Sequence, residues 1–227
     1  MATRVWVLVL MFCSWSAEGQ QPVVPGEPVN IYVIKQQLVH YHSCKEKDCY
    51  APQIDRQIDL AMGFLRQSVA NAKTGEKLAL VLDIDETSLS NWAVEIHDDF
   101  TYIPNDSNLC VALQCSRAIA GTLRLFKQAE RDKVAVFFVT GRPEGQRADT
   151  VTNLQAEGYD KWEGLYLRPE DHAKTQTVAD YKSGERAKII AMGYRIVLNV
   201  GDQQSDLEGN PQAEHSVKLP NPFYFIP

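Results

Sequence analysis

The sequence predicts a doubly wound α/β domain: a parallel sheet with helices on both faces and a small, mainly helical lid. Three observations predict it. The runs LALVLDID (78–85), VAVFFV (134–139) and RIVLNV (195–200) are apolar at nearly every position instead of every second one. Helix-like stretches separate these runs, and Gly158 and Gly193 close two of those stretches. A strand apolar on both sides is buried on both sides, the situation of a parallel sheet between two helical layers.

Taken in order, the chain opens with Arg4, the apolar run VWVLVLMFCSW and the small residues Ala17 and Gly19. This pattern predicts a signal peptide over 1–19, too short to span a bilayer as a helix. Cys13 suggests lipid attachment, but bulky Phe12 stands directly before it and argues against that reading. The expected destination is therefore secreted or periplasmic, with no transmembrane segment in the mature chain. The Pro-rich stretch QQPVVPGEPVN (20–30) reads as a linker.

Helices are expected from Ile31 to His42 and from Pro52 to Ala72. In the second, Ile54, Ile58, Ala61, Met62, Leu65, Val69 and Ala72 share one face. After the first strand, helices are predicted over 116–131, 143–157 and 185–192. Strands are predicted at 134–139, 164–167, 195–200 and 216–219. Residues 31–227 thus form one domain, with 31–75 and the insert 92–116 assigned to the lid.

Removing the leader leaves four cysteines, Cys44, Cys49, Cys110 and Cys115. In an oxidising compartment two short disulfide loops are the simplest reading, although four cysteines permit three connectivities. Buried free thiols are the alternative. A zinc site fits poorly, because four residues separate each pair and no histidine follows at finger-like spacing. Lys and Arg total 23 against 29 Asp and Glu, a net charge of −6. That balance excludes a field for a nucleic-acid polymer, so any phosphate site must be local. Association into a homo-oligomer is compatible with this composition.

The strand ends carry the chemistry. In doubly wound sheets ligands bind beyond the carboxyl ends of the strands, where chain order reverses. Asp83 and Asp85 end the first run; side chains two apart on a strand point the same way, so two carboxylates share one site. Their repulsion calls for a shared proton or a cation, and hard oxygen ligands suit Mg²⁺. The next run ends in Thr140-Gly141-Arg142, a hydroxyl beside a glycine that lets backbone N–H groups approach an anion. YKSGER supplies Lys182 and Arg186, and Gly201-Asp202-Gln203-Gln204-Ser205-Asp206 adds two more acids. Each item alone has a plain explanation as turn former or solvated charge. Their arrival in chain order at one sheet edge points instead to a Mg²⁺-dependent phosphate site.

With these residues in place, the chain resembles the haloacid dehalogenase superfamily and, within it, the secreted class B-like acid phosphatases. That branch groups bacterial outer-membrane acid phosphatases and nucleotidases with plant vegetative storage proteins. VLDIDETSLSN, VFFVTGR, YKSGER and GDQQSDLEGN resemble its four motifs in order, and KLPNPFYFIP resembles its ending. The resemblance implies a Rossmann-like core and a small phosphomonoester substrate, with nucleoside monophosphates among the candidates. It implies Asp83 as nucleophile and Asp85 as general acid and then base. Mg²⁺ would be bound by Asp83, Asp202 and the Asp85 backbone carbonyl. Thr140, Gly141 and Lys182 would hold the phosphoryl group, with Asp206 orienting Lys182 or a metal-bound water. Some storage relatives lack the nucleophilic Asp, so the presence of Asp83 separates an enzyme from a catalytically weak storage or binding protein.

Trp92, Phe100 and Tyr102 lie in the insert, where core packing competes with a role in stacking on a leaving group. His40, His42, His97, His172 and His215 form no ligand-spaced cluster near a motif. Asn105-Asp106-Ser107 matches a glycosylation acceptor. Arg142 and Arg168 are set aside from the site, since each could equally pair with a surface carboxylate.

Overall fold

The computed structural model describes residues 25–171 and 175–226. The leader over 1–19, Cys13, the first residues of the linker and His172 lie outside the described residues. Two helices, α1 (Ile31–Ser43) and α2 (Tyr50–Ala70), precede β1 (Lys77–Leu82). Then come β2 (Leu89–Ser90), α3 (Trp92–His97), α4 (Pro104–Ala112), β3 (Arg117–Ala118) and α5 (Ala120–Arg131). The remainder runs β4 (Ala135–Pro143), α6 (Arg147–Ala156), β5 (Gly164–Arg168), α7 (Val178–Ala191), β6 (Tyr194–Gly201), α8 (Gln204–Leu207) and β7 (His215–Lys218).

Five strands form one parallel sheet in the order β5-β4-β1-β6-β7. The chain builds outward from β1 on one side, then crosses to the other, so order reverses beside β1. Alternate residues of β1 explain why its sequence is apolar throughout. Leu78, Leu80 and Leu82 pack with Ile54, Ile58 and Leu65 of α2 and with Leu125 and Phe126 of α5. Ala79 and Val81 face the opposite layer, with Tyr181 and Ile189 of α7. Each such leucine contributes about 1.5–3 kcal/mol by leaving water.

α2 is a layer of this core. Its Ile58 and Leu65 are fully buried, and a Cβ on Gly121 of α5 would stand 3.0 Å from Ile58 Cγ1, so that glycine sets how closely the two helices approach. The assignment of all of 31–75 to a lid is therefore corrected: α2 covers one face of the sheet because its apolar stripe has the sheet to bury against. α1, which has no buried residue, lies outside that layer.

Other departures are local. The predicted helix from 116 begins at Ala120, because Arg117 and Ala118 pair with Ser90 and Leu89 in a short antiparallel ladder. That ladder closes the base of insert 92–116, which carries α3 and α4. β4 runs on through Thr140-Gly141-Arg142, so the following helix starts later than expected. α7 begins at Val178, capped by Thr177, whose Oγ1 accepts the Asp180 N–H at 3.0 Å, and Lys182 therefore sits inside a helix. The cysteines pair as Cys44–Cys49, at the turn between α1 and α2, and as Cys110–Cys115, at the end of α4. Among the described residues no helix is long and apolar enough to cross a membrane.

Truncating the α2 stripe distinguishes a core layer from a lid. Ile58→Ala is expected to cost about 2–5 kcal/mol in urea unfolding, the range for a fully buried aliphatic side chain. A loss below about 1 kcal/mol would mean that α2 is peripheral.

Candidate active site

Parallel strands bring their carboxyl ends to one edge, and there the chain leaves β1 in a tight loop. Asp83 N–H donates to Val200 O at 3.0 Å, which extends the ladder with β6 by one residue. The Ile84 carbonyl then accepts from the N–H groups of Thr87, Ser88 and Leu89, while Ser88 Oγ donates to Asp83 O at 2.6 Å. Ile84 itself is buried in the core. The loop passes through Glu86, left-handed at φ 51 and fully buried. Its carboxylate accepts from Asn91 N–H and from Tyr50 OH, fastening the loop to the start of α2. Burial pushes Glu86 up to about 8.

Around Asp83 the structure gathers a buried charge cluster. Lys182 Nζ lies 2.5 Å from Asp83 Oδ1 and 2.5 Å from Asp206 Oδ1. Asp83, Asp202 and Asp206 each offer an oxygen within 4.8 Å of the others, and all three are buried. Burial alone would draw the proton off Lys182, but Asp206 and Asp83 outweigh it and hold the ammonium above the usual lysine range. One lysine cannot neutralise three carboxylates. Burial pushes Asp83 well above the usual carboxylate range, and the neighbouring acids add to this against the pull of Lys182. Burial and then Asp206 raise Asp202 as well, opposed by hydrogen bonds from Asn221, Gln203 and Thr87. The donor set is all oxygen with two negative charges in excess, which fits a hard divalent cation.

Gly201 is needed for this approach. A Cβ there would stand 2.3 Å from Asp206 Cβ, so only glycine lets the acid fold back against the end of β6. Asp206 is held in turn by Gln203 N–H, which donates to Oδ2 at 2.8 Å. Arg186, 1% exposed, fastens the same loop by donating to the carbonyls of Asp206 (2.7 Å), Pro211 (2.9 Å) and Glu208.

Asp85 has different partners. Arg142 Nε lies 3.1 Å from both of its carboxylate oxygens and Nη2 2.7 Å from Oδ1, and Asn91 Nδ2 donates to Oδ1 at 2.7 Å. Burial favours the protonated acid, but the Arg142 guanidinium and these hydrogen bonds win and hold Asp85 below the usual range. Thr140 is fully buried at the end of β4, and its Oγ1 accepts from Arg142 N–H at 3.1 Å. A Cβ on Gly141 would meet nothing within 4 Å, so the backbone there is open to a ligand.

The geometry thus brings Asp83, Lys182, Asp202 and Asp206 into direct proximity and sets Asp85 and Thr140 beside them through Arg142. Sequence reasoning set Arg142 aside; its burial at the end of β4, beyond the reach of pattern, is what makes it a partner of Asp85. Thr87, Asn91, Gln203, Asn221 and Tyr224 also went unassigned, although each lies in a motif or in the tail. The Tyr224 phenol is kept protonated by burial and then by Asp202, Asp85, Glu86 and Asp83. Trp92 and Phe100 pack with His42 and Phe223, the His42 and Trp92 rings stacking at 3.7 Å, while Tyr102 is exposed. His97 does group with acids, Asp98 and Asp106, but on the insert and apart from the motifs.

Residues 12–227 match the family described as HAD superfamily, subfamily IIIB (Acid phosphatase). "Acid phosphatase 1" of Solanum lycopersicum is 37% identical over 186 residues, covering 78% of this chain and 69% of that protein. "Vegetative storage protein 1" of Arabidopsis thaliana is 38% identical over 107 residues, 47% of this chain and 38% of the other. Among solved structures, the class C acid phosphatase from Bacillus anthracis superposes with a TM-score of 0.69 at 20% identity, over 85% of each chain. That likeness concerns the fold.

Replacing the guanidinium tests the Asp85 pairing. A carboxyl held low in the fold adds stability above its unfolded value near 3.8, lost as pH falls through the lower folded value. In Arg142→Met, Asp85 stays buried without its cation, so its pKa rises above the unfolded value and its ionisation becomes destabilising. The gap in urea midpoint between wild type and variant should widen from about pH 3 to about pH 6. A gap independent of pH would break the assignment.

Proposed function

The chain belongs to subfamily IIIB of the HAD superfamily, the acid phosphatases, and from this premise we propose that it hydrolyses small phosphomonoesters through an aspartyl-phosphate on Asp83, with Mg²⁺ as its metal. The observation that carries the reading is the buried triad Asp83, Asp202 and Asp206 with Lys182 in salt-bridge contact with two of the three. A carboxylate attacks a phosphate dianion only where positive charge offsets their repulsion.

In this reading Asp83, Asp202 and the Asp85 carbonyl would hold the metal, which when bound neutralises charge on the nucleophile and the phosphoryl oxygens. Lys182, kept charged by Asp206 and Asp83, would meet the phosphoryl group. Thr140 offers its O–H proton and Gly141 its backbone N–H to the same oxygens. Asp83 Oδ forms a bond to phosphorus as the bond from phosphorus to the leaving oxygen breaks. Asp85 gives its proton to that oxygen, releasing an alcohol. The Asp85 carboxylate next takes a proton from water, whose oxygen attacks phosphorus. The bond to Asp83 then breaks, inorganic phosphate leaves, and Asp85 is protonated for another cycle.

Arg142 opposes the protonated state that Asp85 needs at departure. Two things work against Arg142: an acidic medium, and the substrate's own negative charge alongside Asp85. An acidic optimum is thus expected on electrostatic grounds. The presence of Asp83 favours enzyme over storage protein. The leader pattern over 1–19 and the two disulfides support export. Nucleoside monophosphates belong to the candidate substrates.

Asp83→Asn removes the nucleophile and keeps the shape. It should lower turnover of a chromogenic phosphomonoester by about four orders of magnitude or more. Melting temperature should hold or rise, because a buried acid short of positive charge is removed. Near-normal turnover would reject the covalent route. Separately, EDTA should abolish hydrolysis and Mg²⁺ restore it across about pH 4 to 8; indifference to chelation would reject the metal.

A further inference from the structure

The described chain ends beside the catalytic loop. Leu219 N–H donates to Gly201 O at 2.8 Å, which carries the β7 ladder one step further and delivers the tail to the start of that loop. Two residues on, between Pro220 and Pro222, Asn221 Nδ2 donates to Asp202 Oδ2 at 2.8 Å. The amide cannot turn over without cost, because Asn221 Oδ1 accepts the Phe223 N–H at 2.9 Å. Gln203 clasps the tail from the other side. Its Nε2 donates to Asp202 Oδ2 at 2.7 Å, while its Oε1 accepts the Ile226 N–H at 3.1 Å.

The count of lone pairs on Asp202 gives this arrangement a consequence. Oδ2 receives two amide donors and has no capacity left. Oδ1 accepts one bond, from Thr87 Oγ1 at 2.9 Å, and keeps one lone pair free. Three neutral donors therefore fix the carboxylate's rotation and leave a single position for a cation.

Resting on the metal-dependent reading above, we propose that the C-terminal segment 219–226 is a working part of the metal site, with Asn221 positioning Asp202 to bind the ion through Oδ1. Groups that hold a ligating carboxylate typically govern metal affinity by 10–100-fold. Asn221 touches neither substrate nor ion in this scheme, so it is a positioning residue. Its loss should appear in affinity ahead of chemistry.

The test compares wild type with Asn221→Ser and Asn221→Ala by titration calorimetry with Mg²⁺ and by spin resonance of bound Mn²⁺. Serine can still accept the Phe223 N–H, preserving the turn, but is too short to reach Asp202. Both variants should bind metal about tenfold or more weakly. Melting temperatures measured without metal should change little in Asn221→Ser, and kcat at saturating Mg²⁺ should fall less than affinity does. Unchanged affinity in a folded variant, with wild type binding normally, would overturn this inference and leave the phosphatase reading intact. A wild-type protein that binds neither ion would sink both. If neither variant folds, Asn221 serves stability, and the positioning role is rejected.

Discussion

Three carboxylates gathered around one lysine in a buried space constrain the carboxyl-end edge of the sheet. Asp83, Asp202 and Asp206 come from the ends of two adjacent strands and a short helix, and Lys182 is the cation that α7 supplies. Ionised carboxylates are costly to bury unless paired. Much of the surrounding architecture consists of devices that make this concentration tolerable. Neutral donors hold Asp202, a glycine lets Asp206 come close, and a buried arginine holds the chain from Asp206 onward by its carbonyls.

The strand order makes the cluster possible. With β1 in the middle and chain order reversing beside it, the ends of β1, β4 and β6 adjoin. The helical layers then decide which side chains face the crevice. α2 closes one face of the sheet and its first residue, Tyr50, reaches the loop through Glu86. One helix thus joins the larger apolar cluster to the backbone that carries Asp83 and Asp85. Packing and chemistry share an element here, so damage to α2 should reach the site.

Much of this was legible in the sequence because it rests on periodicity and on residues that chemistry cannot replace. Continuous apolar runs gave the strands, and acids after strands gave the edge. Three features were hidden, each for a physical reason. α2 looked like a lid because an amphipathic stripe shows that a helix is buried without showing against what. Arg142 looked optional because an arginine after a strand pairs with whatever acid the fold brings near, and Asp85 lies 57 positions away. Asn221 carries no charge and no spacing rule; only the close passage of the tail past Gly201 and Asp202 gives it a role. Long-range pairing of neutral donors leaves no periodic trace.

The protein's own charges push the two central acids in opposite directions. Burial and neighbouring carboxylates push the Asp83 carboxyl well above the usual range, while the Arg142 guanidinium pulls that of Asp85 below it. The proposed mechanism needs the reverse, an ionised nucleophile and a protonated acid. Each reversal would come from a charge outside the chain, the metal's or the substrate's. A divalent cation beside Asp83 favours its ionised form, and a phosphate dianion beside Asp85 favours its protonated form. Opposed environments for two carboxylates are a familiar way to divide nucleophile from acid. In the proposed mechanism the division is completed by two charges that these side chains do not supply, the bound metal's and the phosphate's.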